Sequence, residues 1–294
     1  MYRTQGTPAQ ARVFIAEIGT DNPEEIAPDS CTLTRMEDWI RRQLIERQQP
    51  GRRFPAMFQR WLHLLFLHWS FAPEIVQVTL PQGLQADTFE GHAWIGIVPF
   101  FMRGVRPRGF VSVPGISNFL ELNLRTYVRD ERGRPGIWFY SLDANQPLAV
   151  CMARAVFALP YEFAKMRAKV SDDEIDYRSR RFGFKNSLHY RYRISEKLGE
   201  AVFGSLEFFL LERYRLFARR GNKLFTGRVY HPPYQIRRVS LINADPNLFA
   251  MDGFKTPVEA SAHSVYAERV DVSIYPMKPS QTAGCGSNGN LEHL

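Results

Sequence analysis

The sequence has few cysteines, and it has no apolar run of membrane-spanning length. Its three cysteines, Cys31, Cys151 and Cys285, lack the close spacing of a zinc site. So small and odd a number argues against a disulfide framework and favours a reducing compartment. No apolar stretch reaches the length of a transmembrane helix, and the N-terminus lacks the charged-then-apolar order of a signal peptide. We therefore expect a cytoplasmic protein with no membrane partner.

Most of the motifs that identify metal, nucleotide or nucleophile chemistry are also missing. The chain contains no HExxH, paired CxxC, P-loop, Gly-x-Ser-x-Gly or convincing dinucleotide fingerprint. His189, His231 and His263 could meet in space, but nothing in their spacing demands a metal. The sequence accordingly predicts neither a metal nor a cofactor.

Lysine is scarce, and the positive charge comes mainly from arginine. The chain carries a formal net charge of +8, and its first lysine is Lys165. An excess of positive charge favours a small-molecule ligand that is anionic. Hydrophobic residues make up 45% of the 294 residues, which is enough for one barrel-sized globular domain with a large core.

One strand pattern is the centre of the functional interpretation. In residues 119–128, apolar residues alternate with Glu121, Asn123 and Arg125. A period of two predicts a strand, with an apolar face and a face that carries these three polar side chains in a row.

The residues that follow predict a compact unit around this strand. Residues 130–133 have the composition of a tight turn, and residues 136–142 are aromatic and β-branched, which predicts the returning strand. A helix is predicted over residues 149–157. We expect it to end before Pro160, because the residue that precedes a proline disfavours helical backbone angles.

Elsewhere, alternating patterns predict a largely antiparallel sheet. Residues 57–69 are an exception, because Trp61, Leu65 and Trp69 stand at helical spacing and predict a packed helix. A segment that begins at Ser205 predicts a short capped helix. The remaining strands are predicted at residues 94–101, 175–181, 188–194, 214–219, 224–230, 236–242 and 265–275.

Several longer motifs occur in a fixed order. They are residues 87–94 (Asp-Thr-Phe-Glu-Gly-His-Ala-Trp), 98–100 (Val-Pro-Phe), 105–109 (Val-Arg-Pro-Arg-Gly), 121–128 (Glu-Leu-Asn-Leu-Arg-Thr-Tyr-Val), 139–144 (Phe-Tyr-Ser-Leu-Asp-Ala), 159–161 (Leu-Pro-Tyr), 212–214 (Glu-Arg-Tyr) and 231–233 (His-Pro-Pro). With these motifs the chain resembles the bacterial domain-of-unknown-function family 2071, or YqjF-like proteins. That family is similar in turn to acetoacetate decarboxylases. The resemblance implies a β-rich α+β fold, an antiparallel cone or barrel around an internal pocket with a few peripheral helices.

The resemblance also divides the chain into three parts. Residues 55–279 would form the acetoacetate decarboxylase-like domain, and residues 1–54 an N-terminal extension with one amphipathic helix. An apolar stripe that includes Trp39 and Ile40 predicts that this helix docks on the barrel. Residues 280–294 are rich in small polar residues, which predicts a disordered tail.

The likeness to acetoacetate decarboxylases breaks at the residues that form their Schiff base. Those enzymes have a Gly-Arg-Glu segment, a short spacer and a Pro-Lys-Lys segment that supplies the reactive lysine. Here the segments are Ala153-Arg154-Ala155 and Pro160-Tyr161-Glu162, so both lysine positions hold other residues. The resemblance matches Glu121 to the decarboxylases' strand glutamate and Arg154 to their helix arginine.

Five residues carry the functional hypothesis. We predict Glu121 and Tyr161 as catalytic residues, because a buried carboxyl group can exchange protons near neutrality and a tyrosine hydroxyl can donate to an enolate oxygen. We predict Asn123, Arg125 and Arg154 as substrate-binding residues, because arginine holds a carboxylate with two hydrogen bonds. The predicted ligand is a small organic oxo acid, with lyase-like or proton-transfer chemistry that uses no Schiff-base lysine.

Three alternatives stay open. The same barrel would also serve as a non-catalytic small-molecule-binding or regulatory module. Glu121 and the arginines would also suit a structural ion-pair network inside the barrel. Single-stranded nucleic-acid binding ranks third: in residues 177–193 basic and aromatic residues are interleaved, but a half-exposed sheet with a solvated arginine face has the same composition.

Overall fold

The computed structural model describes residues 30–47 and 54–280. The tail predicted to be disordered lies, from residue 281 onward, outside the described residues. The same holds for residues 1–29 and 48–53 of the predicted N-terminal extension. The boundaries of the extension and of the domain 55–279 therefore stay predictions.

The described part of the chain forms five helices and fourteen strands, and the β-rich α+β class is confirmed. The helices are α1 (Ser30–Arg47), α2 (Pro73–Gln77), α3 (Pro147–Phe157), α4 (Leu206–Leu211) and α5 (Leu248–Met251). The strands are β1 (Met57–Phe71), β2 (Leu84–Ala86), β3 (Thr88–Phe89), β4 (His92–Pro107), β5 (Phe119–Asp130), β6 (Pro135–Ala144), β7 (Tyr161–Ser171), β8 (Glu174–Arg181), β9 (Leu188–Gly199), β10 (Arg215–Arg220), β11 (Lys223–Tyr230), β12 (Ile236–Ala244), β13 (His263–Ile274) and β14 (Lys278–Pro279). None of the five helices is long and apolar enough to cross a membrane.

The strands form one mixed sheet that closes on itself twice. Pairing runs in the order β6, β7, β8, β9, β12, β13, β1, β4, β5 and returns to β6, which makes a nine-stranded ring. A second, seven-stranded ring runs from β6 through β10 and β11 to β13 and back through β1, β4 and β5. In these rings β6 pairs in parallel with β7 and β10, and the other pairs are antiparallel. Five strands are common to both rings and form a wall between two interiors.

This shared wall explains why its central strands are buried on both faces. In β5 the leucines at positions 120, 122 and 124 pack in the core of the nine-stranded ring. The alternate residues Glu121, Asn123 and Arg125 face the seven-stranded ring instead. The predicted period of two is therefore confirmed, and it aims all three polar side chains into one interior.

Residues 57–69 are a strand, so the predicted helix was wrong. Strand β1 lies in the middle of the wall, between β13 and β4. A strand that is buried on both faces is apolar throughout and loses the alternation that marks a half-exposed strand. The pairing of β1 with β4 also shifts register between Leu62 and Leu67, and His63 between them has a φ of 53°. The helical spacing of the tryptophans therefore does not indicate a helix in this segment.

Helix α1 packs against the barrel through the predicted face. The ring of Trp39 lies 6.3, 5.9 and 5.7 Å, between centroids, from the rings of Phe89, Phe208 and Phe209. Ile40 is buried beside it. Docking of this helix through Trp39 and Ile40 is thus confirmed. Aromatic pairs of this kind stabilise a fold by more than the burial of their surface area alone.

The turn that joins β5 to β6 is held by one carboxylate. Asp130 Oδ1 accepts hydrogen bonds from the backbone N–H groups of Arg132, at 3.1 Å, and Arg134, at 2.9 Å. Its Oδ2 accepts from Nε of Arg134 at 2.7 Å. Gly133 has a φ of 69°, which favours glycine. The hairpin that presents Glu121 and Arg125 is therefore closed by its own turn chemistry.

We expect Asp130→Ala to lower the free energy of unfolding by about 1–2 kcal/mol, because three partly buried hydrogen bonds of the turn lose their acceptor. Asp130→Asn keeps an acceptor oxygen for the backbone and is the matched control, which should cost less. Urea denaturation of the three proteins measures both changes. Equal losses for the two substitutions would show that the acceptor oxygen does not hold the turn.

Candidate functional site

A cavity of about 480 Å³ lies inside the seven-stranded ring. All seven strands, helix α3 and the segment 110–117 contribute to its walls, which are mainly aromatic and aliphatic. The charged side chains that line it are Glu121, Arg125, Arg213 and Arg215. Cavities of this volume in other proteins bind drug-sized molecules. The cavity is therefore the candidate site, and its few charged groups define what chemistry it offers.

Glu121 is a fully buried carboxyl group at the polar face of β5. The hydroxyl of Tyr161 donates to its Oε2 at 2.7 Å. Burial away from water raises the pKa of Glu121 to about 7, although hydrogen bonds from Tyr161 and Asn123 act in the opposite direction. A carboxyl group with this pKa gives up and takes back a proton near neutral pH.

Tyr161 stands at the first residue of β7, just after helix α3. The backbone pairs β7 in parallel with the end of β6, with Tyr161 opposite Leu142. Burial raises the pKa of Tyr161 well above its ordinary value, and the nearby Glu121 carboxylate adds to the shift. The hydroxyl therefore keeps its proton at any physiological pH and is a permanent hydrogen-bond donor.

Arg125 is a buried arginine that has no carboxylate partner among the described residues. It is 6% exposed, and its one hydrogen bond within the described residues, from Nη2 to the hydroxyl of Tyr127, is long at 3.4 Å. Its Nε atom has no partner, and the guanidinium lies 5.4 Å from the ring centre of Phe66. Because arginine stays charged in proteins, the group needs an anion, and residues 30–47 and 54–280 do not supply one.

Asn123 lies between Glu121 and Arg125 on the same face of β5. Its side chain hydrogen-bonds to Glu121, and its Oδ1 is buried without a partner. An unpartnered buried acceptor is uncommon in proteins and is costly unless a ligand or water satisfies it. Asn123 lines the cavity, and its role in substrate binding stays a prediction.

Arg154 is not part of the cavity, in contrast to the prediction. Its Nε donates to the backbone oxygen of Tyr161 at 2.5 Å, and its Nη2 pairs with Glu162 at 2.9 Å. The side chain is 51% exposed. Arg154 sits in the last turn of α3, where it ties the helix to the start of β7 and so positions Tyr161. The contacts of Arg154 are therefore with the start of β7 and not with the cavity.

Two further arginines line the cavity and were not predicted. Arg213 donates from Nη1 to Asp87 at 2.7 Å and from Nε to the backbone oxygen of Phe209, and its Nη2 is buried without a partner. Arg215 pairs with Glu46 of helix α1 at 2.7 Å. A signal for Arg213 was present, because Asp87 begins one of the longer motifs and Arg213 is the centre of another. The ion pair joins the two motifs in space.

A chain of buried hydrogen bonds runs from Arg125 away from the cavity. Nε2 of His68 lies 2.6 Å from the hydroxyl of Tyr127, and Nδ1 of His68 lies 2.9 Å from Nδ1 of His263. His263 Nε2 is 3.7 Å from the half-exposed carboxylate of Glu207. Within the described residues, His263 Nε2 has no partner at hydrogen-bond distance, so the chain ends at His263. Since arginine can only donate, all protons in this chain can point from Arg125 towards His263. Burial lowers the pKa of His68 well below its ordinary value, so it remains a neutral link.

None of the seven lysines of the chain lines the cavity, and all seven lie in the described residues. Lys165 is exposed on β7 opposite Arg180 and belongs to a basic surface patch. The corner position that follows helix α3 is occupied by Tyr161. No lysine amine is therefore placed to form an imine with a molecule in this cavity.

The three tyrosines of the basic and aromatic strands are not available for base stacking. Tyr177, Tyr190 and Tyr192 are buried in the core of the nine-stranded ring, whereas Phe182 and Phe184 in the connection between the strands are exposed. Arg178 lies on the outer face and pairs with Asp176, but Arg181 is buried against Asp143. Nucleic-acid binding by stacking on the tyrosines would require rings that the fold buries.

The three histidines considered together in the sequence lie in separate surroundings. His263 contacts His68, His189 contacts Asp176 at 3.1 Å, and the ring of His231 stacks 4.6 Å from that of Tyr214. Within residues 30–47 and 54–280, no group of three or more His, Cys, Asp or Glu side chains has an arrangement that would hold a metal.

Solved structures are similar to this fold at low sequence identity. The enduracididine biosynthesis enzyme MppR, complexed with the condensation product of pyruvate and imidazole 4-carboxaldehyde, matches with a TM-score of 0.57 and 13% identity over 77% of this chain and 90% of its own. Acetoacetate decarboxylase from Legionella pneumophila subsp. pneumophila str. Philadelphia 1 matches with a TM-score of 0.53 and 11% identity over 81% and 94%. At these identities the similarity concerns the fold, which is acetoacetate decarboxylase-like as predicted.

Sequence similarity identifies the family to which the chain belongs. The profile of domain-of-unknown-function family 2071, "Uncharacterized conserved protein", matches residues 58–271. The "Uncharacterized protein YqjF" of Bacillus subtilis (strain 168) is 37% identical over 223 residues, which are 76% of this chain and 91% of that protein. The chain belongs to this family, and the resemblance of its motifs is confirmed.

Proposed function

We propose that the protein binds a small organic oxo acid in the cavity and exchanges protons with it through Glu121. The observation that carries the proposal is Arg125, a buried guanidinium on the cavity wall with no carboxylate partner among the described residues. A ligand carboxylate satisfies this charge with two hydrogen bonds. We place this activity in the cytoplasm, because the low cysteine number favours a reducing compartment.

The proposed chemistry uses Glu121 as base and acid in turn. Its carboxylate takes a proton from the carbon next to the keto group, the C–H bond breaks, and the electron pair moves to the keto oxygen as an enolate. Tyr161, which keeps its proton, and Asn123 lie next to Glu121, so a hydroxyl donor is at hand for the enolate oxygen. Return of the proton from Glu121 to carbon restores the oxo acid.

Two features support an oxo acid without Schiff-base chemistry. The MppR structure of the same fold is complexed with pyruvate, which makes a keto acid a reasonable ligand class for this cavity. A lysine, however, is missing from the cavity walls. Proton transfer through a carboxyl group needs no amine, whereas imine catalysis does.

Hydrogen exchange at carbon tests the proposal. In heavy water at neutral pH, the protein should accelerate deuterium uptake by pyruvate and by the longer 2-oxooctanoate at the carbon next to the keto group, followed by proton NMR. Glu121→Gln, which keeps size and shape but has no basic oxygen, should lower the rate at least about 100-fold. Borohydride treatment during turnover should leave every lysine unmodified in mass spectra. Full exchange by Glu121→Gln, or an adduct on lysine, would contradict the proposed chemistry.

A non-catalytic binding module is the second candidate. It is favoured by one observation: Tyr161 occupies the corner where the resemblance to decarboxylases would place the reactive lysine. Arg125-dependent binding of an oxo acid without deuterium uptake would establish this alternative and would remove the catalytic roles proposed for Glu121 and Tyr161.

A further inference from the structure

We propose that the acid bound in this cavity carries a long apolar chain, so that the ligand is an amphipathic carboxylic acid and not a molecule of pyruvate's size. The inference rests on the proposed function and deepens it. It is carried by the volume of the cavity, by the character of its walls and by the side chains at its mouth.

The volume and the walls are too large and too apolar for a very small acid. A cavity of about 480 Å³ holds on the order of ten water molecules at ~30 Å³ each. Pyruvate would occupy only a small part of that space, and the rest would be filled by water against Trp61, Phe100 and Phe139. An apolar chain displaces this water and contacts the aromatic walls, which is the favourable way to fill such a cavity.

The mouth of the cavity is formed by exposed apolar side chains. Phe110 and Val111 are 70% and 80% exposed, and Met152 on helix α3 is 46% exposed, yet all three line the cavity. Side chains that face both solvent and cavity mark the place where the interior opens. Contiguous exposed apolar groups are uncommon on soluble proteins and often mark ligand-binding grooves. An apolar chain that emerges here would cover them.

The direction of β5 places the charged and apolar ends of the cavity apart. The strand begins at Phe119, next to the mouth segment, and reaches Arg125 six residues later. In an extended strand that separation is about 20 Å. A carboxylate on Arg125 therefore points its chain past Glu121 towards the mouth. Only a chain of several methylene groups contacts Arg125 and the mouth residues together.

Chain-length dependence of binding is the test. Calorimetric titration of the full chain with pyruvate, octanoate, dodecanoate and hexadecanoate should give affinities that rise about tenfold for every two methylene groups. Octanol, which has the chain without the carboxylate, should bind far more weakly than octanoate. Val111→Asp should weaken hexadecanoate binding about tenfold, because a charge at the mouth opposes an apolar chain. Val170→Asp, at an exposed valine on β7 away from the cavity, is the matched control and should change nothing.

The outcomes separate this inference from the proposed function. If short and long acids bind equally well and Arg125→Met abolishes both, the acid site stands and the apolar-chain inference fails. If no acid of any length binds, both fail. An effect of Val170→Asp as large as that of Val111→Asp would also overturn the inference, because the mouth would then have no special part in binding.

Discussion

Arg125→Met is expected to weaken the affinity for octanoate about 100-fold while the free energy of unfolding stays the same or rises. The loss of affinity follows from the removal of a desolvated charge pair between guanidinium and carboxylate, which is worth several kcal/mol in a buried site. The gain in stability has the opposite origin. The ligand-free protein holds a buried charge whose one hydrogen bond to the described part of the chain is long, and an unbranched apolar side chain removes that desolvation cost.

The matched control for this prediction is Arg178→Met. Arg178 is a half-exposed arginine on β8, paired with Asp176 and away from the cavity. Its replacement should change neither octanoate affinity nor stability by much, since exposed ion pairs contribute little. Calorimetric titration and urea denaturation give the two quantities for each protein. An Arg125→Met protein that is several kcal/mol less stable than the parent would show that Arg125 is a structural group, as in an internal ion-pair network.

The part of the site that lies on one strand could be predicted from the sequence. Glu121, Asn123 and Arg125 alternate with leucines, and an alternation of this kind fixes which side chains share a face whatever the rest of the fold does. The sequence did not show that the leucine face would also be buried. That result needs the second ring of the sheet, which depends on pairings between strands far apart in the chain.

Residues that join the site from other elements were harder to predict. Arg215 is the first residue of β10, and Arg213 lies two residues before it. Their partners Glu46 and Asp87 are more than a hundred residues away along the chain. Arg154 was assigned by analogy with a decarboxylase motif, but its side chain turns to the backbone of Tyr161 and to Glu162. Strand β1 was mistaken for a helix because both of its faces are buried. In each case the deciding contact is long-range, and local spacing contains no information about it.

Glu121 should make the stability of the protein depend on pH in a way that Glu121→Gln removes. Burial raises the pKa of Glu121 from 4.5 to about 7 in the folded state. Between these values the folded protein binds more protons at this group than the unfolded chain does, so its contribution to stability falls as the pH rises. The contribution is fully present below about 4.5 and is lost as pH passes through 7. At 1.36 kcal/mol per unit of pKa shift, the change is about 3 kcal/mol.

The difference between the two proteins isolates this effect from other titrating groups. Burial lowers the pKa of His231 to about 4, and that histidine destabilises the folded state as the pH falls below 6.5 in both proteins alike. Around Glu121 the facing groups are Tyr161 and Asn123, which donate to it, and Asp143, whose charge raises its pKa. Urea denaturation at pH 4.5 and pH 8 should therefore show Glu121→Gln to be no more stable than the parent at the lower pH and about 2–3 kcal/mol more stable at the higher. A stability difference that does not change between the two pH values would mean that the Glu121 carboxylate is already ionised in the folded protein, and the proton exchange proposed for it would lose its basis.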